Sequence, residues 1–231
     1  RIWRCNYLLH VMIMSDMTEI EREKLISAAK AAINDDPIAW FDELYDLAKR
    51  DPSMIPWARM SPNPIMMDWV RGHLSGGRAL IVGCGLGDDA IGLEQLGFQV
   101  TAFDVSQQCI NWCRERFPES SVDWQVADIL EPPQQWLEQF DLVVEIHILQ
   151  AIPDGGIREL AAQNLPKLLS KDGFLLCIGR LDNGEQIIQS PPWPLKEDWL
   201  KASFSNINLH GFTQFTYQES IDVTRYYAAW K

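Results

Sequence analysis

From residue 78 onward the apolar residues gather into short runs: Ala79 to Val82, Phe98 to Phe103, Val122 to Val126, Phe140 to Ile146 and Phe174 to Gly179. Runs of this length without a helical period predict strands buried on both faces, as in a parallel sheet. The segments between them suit helices. These run from Asp88 to Leu96, from a Ser106 cap to Phe117, briefly from Pro132, from Asp154 to about Ser170, and near Lys196 to Ala202. Apolar and polar residues then alternate from about Asn208 to Gln218 and from Asp222 to Trp230, which predicts a closing hairpin. Five strands alternating with helices, followed by two more strands, give an α/β fold with a doubly wound, Rossmann-like sheet of seven strands.

The preceding stretch follows the helical period. Thr18-Glu19-Ile20-Glu21 is a capping box, and Leu25, Ile26, Ala29 and Ile33 recur on one face after it. Asp36-Pro37 opens a second helix with Trp40, Phe41, Leu44 and Leu47 as its apolar stripe, and Pro64 opens a third through Leu74. Residues 17–77 are therefore expected to form a helical N-terminal cap on the domain at 78–231. Residues 1–16 hold an apolar run too short to cross a bilayer and are read as an extension, of vector origin on one reading.

The stretch from Arg78 to Ser106 organises the rest. A strand leads into Gly83, Gly85 and Gly87, a helix follows, and a second strand ends in Asp104. Glycines there let the backbone turn sharply and admit a ligand with no Cβ in the way. The helix N-terminus offers N–H groups to a polar ligand, and an acid closing the next strand is where a Rossmann-type site binds a ribose. Strand, glycine turn, helix, strand and acid together imply an adenosine-containing ligand.

Composition narrows the partners. Apolar content of 47% and charged content of 23% are those of a globular protein, and 231 residues suffice for one substantial core. A net charge of −12 disfavours a polyphosphate partner, so no nucleic acid is expected as substrate. No membrane segment is expected either. Five cysteines at irregular spacing suggest a reducing, cytoplasmic setting. Cys109 and Cys113 are one helical turn apart, but without a second pair they are read as packing residues, and no metal is expected.

The G-C-G-x-G pattern of Gly83 to Gly87 resembles motif I of the class I S-adenosylmethionine-dependent methyltransferases. The resemblance covers the layout from Arg78 to Lys231, with specific motifs from Ala79 to Ile152. It implies S-adenosyl-L-methionine as cofactor, held by the glycine turn, by Asp104 on the ribose hydroxyls, and by Val105 beside the adenine. Asp128 would receive the adenine amino group, with Ile129 stacking next to it. It also implies a sheet whose seventh strand lies antiparallel between the fifth and sixth. The family usually carries an acid two residues before the first glycine; here that residue is Ile81. This departure is shared by the thiopurine methyltransferase-like branch, which the chain also resembles at Leu44-Tyr45, Pro56-Trp57 and the Val143 to Ile152 segment. That branch has an Asp-Arg pair after the fourth strand where this chain has Glu145-Ile146.

A sulfonium is already an activated methyl donor, so catalysis is mostly alignment and exclusion of water. A thiolate acceptor needs no base, whereas a hydroxyl or amine benefits from one, and His147 at the exit of the fourth strand is the candidate. Glu145 is expected to contact the cofactor or a cationic acceptor, and Arg180 an anionic one. Trp40, Trp57 and Trp193 lie in the two segments able to cover the sheet's carboxyl edge and are candidate walls for a small-molecule acceptor. The acceptor atom and the oligomeric state stay open. Two other functions compete: a nicotinamide-dependent oxidoreductase, disfavoured by the hairpin and Asp128, and a non-catalytic adenosine-binding protein.

Overall fold

The computed structural model describes residues 39–184, 191–217 and 220–231. The extension at 1–16, the capping box at Thr18, the Asp36-Pro37 helix start, and part of the loop after the fifth strand lie outside the described residues. The elements are α1 (Ala39–Ala48), α2 (Pro64–His73), β1 (Gly77–Val82), α3 (Asp88–Gln95), β2 (Phe98–Asp104), α4 (Gln107–Arg116) and β3 (Asp123–Val126). After them come β4 (Phe140–Ile146), α5 (Gly156–Asn164), β5 (Leu169–Arg180), α6 (Glu197–Ser203), β6 (Leu209–Tyr217) and β7 (Ser220–Trp230).

The sheet order is β3-β2-β1-β4-β5-β7-β6. β1 pairs in parallel with β2 and with β4, and β5 pairs in parallel with β4. β7 runs antiparallel between β5 and β6, the arrangement the resemblance implied. Chain order reverses at β1 and β4, and at such a switch point the carboxyl ends of the strands open a crevice.

Strand parity sorts the core into two layers. Ala79, Ile81, Val100, Ala102, Leu142, Val144, Leu176 and Ile178 face the layer built with Leu44, Tyr45, Met66 and Val70 of α1 and α2 and with Cys109, Ile110 and Cys113 of α4. Leu80, Val82, Phe103, Val143, Leu175 and Cys177 face the other layer, with Ala161, Leu165 and Leu200. Both layers are continuous because the stretches Ala79 to Val82 of β1, Leu142 to Val144 of β4 and Phe174 to Ile178 of β5 are apolar at every position, as strand segments covered on both faces must be.

Two expectations shift. The short helix at Pro132 is only a 3-10 turn at Gln134–Trp136. The helix expected from Asp154 to Ser170 stops at Asn164, and a 3-10 turn through Pro166 leads into β5 five residues earlier than the apolar run suggests. Proline at that point cannot continue the helical ladder. Lys171-Asp172-Gly173 lies inside β5, where the register with β4 slips between Phe140 and Leu142.

Candidate active site

β1 ends in Val82 and the chain turns through Gly83, Gly85 and Gly87, whose φ angles are 60°, 52° and 88°. Left-handed backbone at three alternate positions suits glycine, and space demands it as well. A Cβ on Gly83 would collide with Ile148 Cδ1, and one on Gly87 would meet the Trp124 ring at 2.6 Å. Gly87 leads into α3, whose first turn is held by a bidentate pair at 2.9 Å between Arg116 and Asp88.

Asp104 closes β2 beside this turn. Its Oδ2 accepts the Gly85 N–H at 3.2 Å and its Oδ1 accepts the Ser106 N–H at 3.1 Å. Burial raises its pKa to about 6 against the pull of those two bonds. A carboxylate has acceptor room for about four hydrogen bonds, so two remain for a pair of ligand hydroxyls. An adenosine ligand therefore fits the residues present.

The helical cap reaches this point. Asp42 of α1 accepts from Ser106 Oγ at 2.6 Å and from the Gln108 N–H at 3.1 Å, so it caps α4 together with Ser106, whose Oγ takes the Cys109 N–H at 3.0 Å. Trp57 donates its indole N–H to Tyr45 Oη at 3.0 Å and packs against the position of a Gly85 Cβ at 3.5 Å. Trp57 thus borders the glycine turn rather than the far side of the crevice. The side chain of Trp40 lies outside the described residues.

On the next strand exit, His147 follows β4 with φ 64°, a left-handed conformation uncommon outside glycine. Its N–H donates to Ile178 O at 3.1 Å. Gln150, fully buried, fixes the ring: its Nε2 donates to Arg180 O, and its Oε1 accepts from Arg180 N at 2.9 Å and lies 2.7 Å from His147 Nδ1. Because the Arg180 backbone settles which end of the amide is oxygen, Nδ1 must be the protonated nitrogen, which leaves Nε2 as the acceptor. Burial holds the imidazole down to about 4 despite the Gln150 bond, and Arg180, Arg225 and Arg59 add to the depression. Arg180 and Arg225 are cross-strand partners on β5 and β7. Trp193 reaches the same turn through its backbone, donating to Gln150 O at 2.8 Å, while its ring packs under Arg158 of α5.

Two expected ligand contacts are not brought to the crevice. Glu145 is 1% exposed, and parity turns it to the layer of Val82 and Cys177, where its Oε1 accepts the Leu149 N–H at 2.9 Å. It ties down the turn holding His147, and burial raises its pKa to about 7. Ile129 is buried in that same layer instead of lying open for a stacking ring. Asp128 stays half-buried, and its Oδ1 accepts from Leu130 N at 2.8 Å; Val105 is also half-buried. Asp42, Tyr45, Ile148 and Gln150 belong to the site's frame. Asp42 had no sequence signal, and Tyr45 entered only through the resemblance at Leu44-Tyr45.

This sheet order, with an acid closing β2 and a glycine turn after β1, is that of the class I S-adenosylmethionine-dependent methyltransferases. Residues 79–173 match a family described as methyltransferase domain. A ubiquinone biosynthesis O-methyltransferase of Azoarcus sp. (strain BH72) is 33% identical over 127 residues, 52% of this chain and 54% of that protein. A probable thiol methyltransferase 2 of Arabidopsis thaliana is 29% identical over 126 residues, 53% of this chain and 55% of that protein. The chain thus spans about half the length of the curated relatives it matches. The N-methyltransferase NodS of Bradyrhizobium japonicum WM9, solved with S-adenosyl-L-homocysteine, superposes with a TM-score of 0.64 at 20% identity, covering 82% of this chain and 98% of that one. That likeness is one of fold.

Proposed function

We propose that this protein transfers the methyl group of S-adenosyl-L-methionine to a small-molecule acceptor. The observation that carries this is the Gly85 N–H on Asp104, which holds a desolvated carboxylate against a bare glycine turn one strand away from His147. In this reading Gly83, Gly85 and Gly87 line the cofactor with main chain, Asp104 holds the ribose, and Val105 and Asp128 flank and accept from the adenine. The bound cofactor supplies an activated methyl group, and the chain supplies position and dryness. Trp57 and Tyr45 exclude water from the turn.

On the acceptor side, Nε2 of His147 takes the proton of a hydroxyl or amine as the acceptor attacks. A thiol that ionises in water needs no such help. The relatives named for O-methylation and for thiol methylation support an acceptor of either kind, and the thiol relative accords with the thiopurine methyltransferase-like branch. Arg180 and Trp193 stand where an acceptor would lie. A net charge of −12 speaks for a small acceptor over nucleic acid, and the four free buried cysteines among the described residues accord with a reducing, cytoplasmic setting. Among the described residues no helix is long and apolar enough to cross a membrane.

The test is a panel of small thiols, phenols and amines incubated with methyl-labelled cofactor. Label on at least one small acceptor is expected. Label only on added protein or nucleic acid, or protection by NADH in place of S-adenosylhomocysteine, would overturn the reading.

A further inference from the structure

Cys109 and Cys113 lie one turn apart on α4, and both aim at the glycine turn. The fold adds Cys84 from the turn itself, so the three Sγ atoms lie within 4.8 Å of one another, all buried. They crowd one acceptor: Gly85 O takes Cys109 Sγ at 2.9 Å and Cys113 Sγ at 3.1 Å, and Cys84 Sγ is 3.7 Å away. A carbonyl oxygen has two lone pairs, and thiols are weak donors, so three thiols compete for two places on it. Asn, Ser or a water would satisfy such a carbonyl better. Three sulfurs around one point form a donor set instead.

We propose that Cys84, Cys109 and Cys113 bind a soft monovalent cation, Cu(I), and that filling this site weakens cofactor binding. The second half rests on the cofactor reading above. All-sulfur ligation in a dry pocket selects a soft ion. Zn(II) prefers four ligands, and the fourth position here is a backbone carbonyl. A metal–sulfur bond of about 2.3 Å places three trigonal sulfurs roughly 4 Å apart, at most a small contraction from separations that all lie within 4.8 Å. Binding involves no redox change: each thiol that ligates gives its sulfur pair to the ion and its proton to water.

Coupling follows from where Gly85 stands. Its oxygen faces the thiols and its N–H faces Asp104, so one peptide plane on either side of one residue joins the two sites. Drawing Cys84 toward α4 withdraws the thiol donors and moves the turn. The turn has little slack, since Gly87 is already packed against Trp124 and the Cys113 sulfur. By reciprocity, bound cofactor must also weaken the metal.

The experiment uses the whole chain under anaerobic conditions, titrated with Cu(I) from a chromophoric chelator that reports transfer. One equivalent per chain is expected, with a sulfur-only shell in X-ray absorption. Stoichiometric binding should persist in Cys177→Ser and Cys5→Ser and be lost in Cys109→Ser and in Cys113→Ser, each checked for native circular dichroism. Two α4 variants are used so that one failing to fold leaves the other. No transfer, or loss of the ion in Cys177→Ser or Cys5→Ser instead, overturns the site. Calorimetry with S-adenosylhomocysteine should then show affinity reduced by about tenfold in the copper-loaded chain, and not in copper-treated Cys113→Ser. Unchanged affinity with the ion in place overturns the coupling. A chain that takes copper at these thiols but binds no S-adenosylhomocysteine with or without it overturns the cofactor reading and leaves the metal site standing.

Discussion

The two halves of the sheet's carboxyl edge are built differently. At β1 and β2 the site is made of main chain: three glycines in left-handed backbone, one buried carboxylate on two N–H groups, and a helix cap shared by Asp42 and Ser106. At β4, β5 and β7 it is made of side chains: His147, whose ring the amide of Gln150 ties to the Arg180 main chain, and the cross-strand pair Arg180 and Arg225. Backbone geometry is fixed by steric rules that many sequences satisfy in the same way, whereas a wall of side chains changes with every substitution. A site that keeps one ligand and varies another is well served by that division. Prediction should therefore be secure on the first half and acceptor-dependent on the second.

The largest expected effect tests the second half. With a hydroxyl or amine acceptor, His147→Ala should lower turnover by about 10² to 10⁴ and leave S-adenosylhomocysteine affinity as it was. With a thiol that is already ionised, the loss should be small. Because the imidazole is held down to about 4, the free base is present from roughly pH 5 upward, so its limb in the pH–rate profile should sit well below the usual histidine range. A limb near 6.5 that vanishes in His147→Ala would show an imidazole in ordinary solvent.

Next in size is Asp104→Ala, which should weaken S-adenosylhomocysteine binding by about 1.5 to 3 kcal/mol, with turnover at saturating cofactor much less affected. The wild-type affinity should also fall as pH drops through 6, because the carboxylate that accepts the hydroxyls becomes a neutral acid there. Calorimetry between pH 5 and 8 measures both. An affinity independent of pH and of this residue would remove the main-chain half of the comparison.

Glu145 gives a test of stability without ligand. Its folded pKa of about 7 lies above the ordinary 4.5, so between those values the folded chain binds the proton that the unfolded chain releases. The associated stability is complete below 4.5 and is lost as pH rises through 7. Glu145→Gln should therefore stabilise by up to about 3 kcal/mol at pH 8 and change little near pH 4.5, read by thermal melting. An equal effect at both pH values would mean that the carboxyl is never charged.

Asp42→Ala should have the smallest effect. Loss of the shared cap costs about 1 kcal/mol and speeds amide exchange in α1 and the first turn of α4, with β1 and β4 unchanged. Exchange unaltered in α1 would make the helical cap independent of the Asp104 region.

The sequence made the first half legible and the second only in outline. Gly83, Gly85, Gly87 and Asp104 could be found because backbone constraint leaves a residue signature at fixed spacing. The same reading put Glu145 and Ile129 at the ligand, since both follow apolar strands. Side-chain direction at a strand exit depends on parity and on the turn that follows, and here both residues face the layer of α5. β5 was placed five residues late because Lys171-Asp172-Gly173 has turn composition, although the strand carries it through a register slip. The meeting of Cys84 with Cys109 and Cys113 joins segments 25 and 29 residues apart, which no local pattern records.

The place of β7 bears on how the chain is made. It is the latest of the seven strands in sequence, yet it lies between β5 and β6 and carries Tyr226, Ala228 and Trp230 into the core. During synthesis, β1 to β5 emerge first and expose one edge of unpaired backbone along β5, and β6 emerges with no neighbour until β7 follows it. The nascent sheet is therefore open to another chain for as long as translation of the hairpin lasts. Any delay between the emergence of β5 and that of β7 would prolong that window.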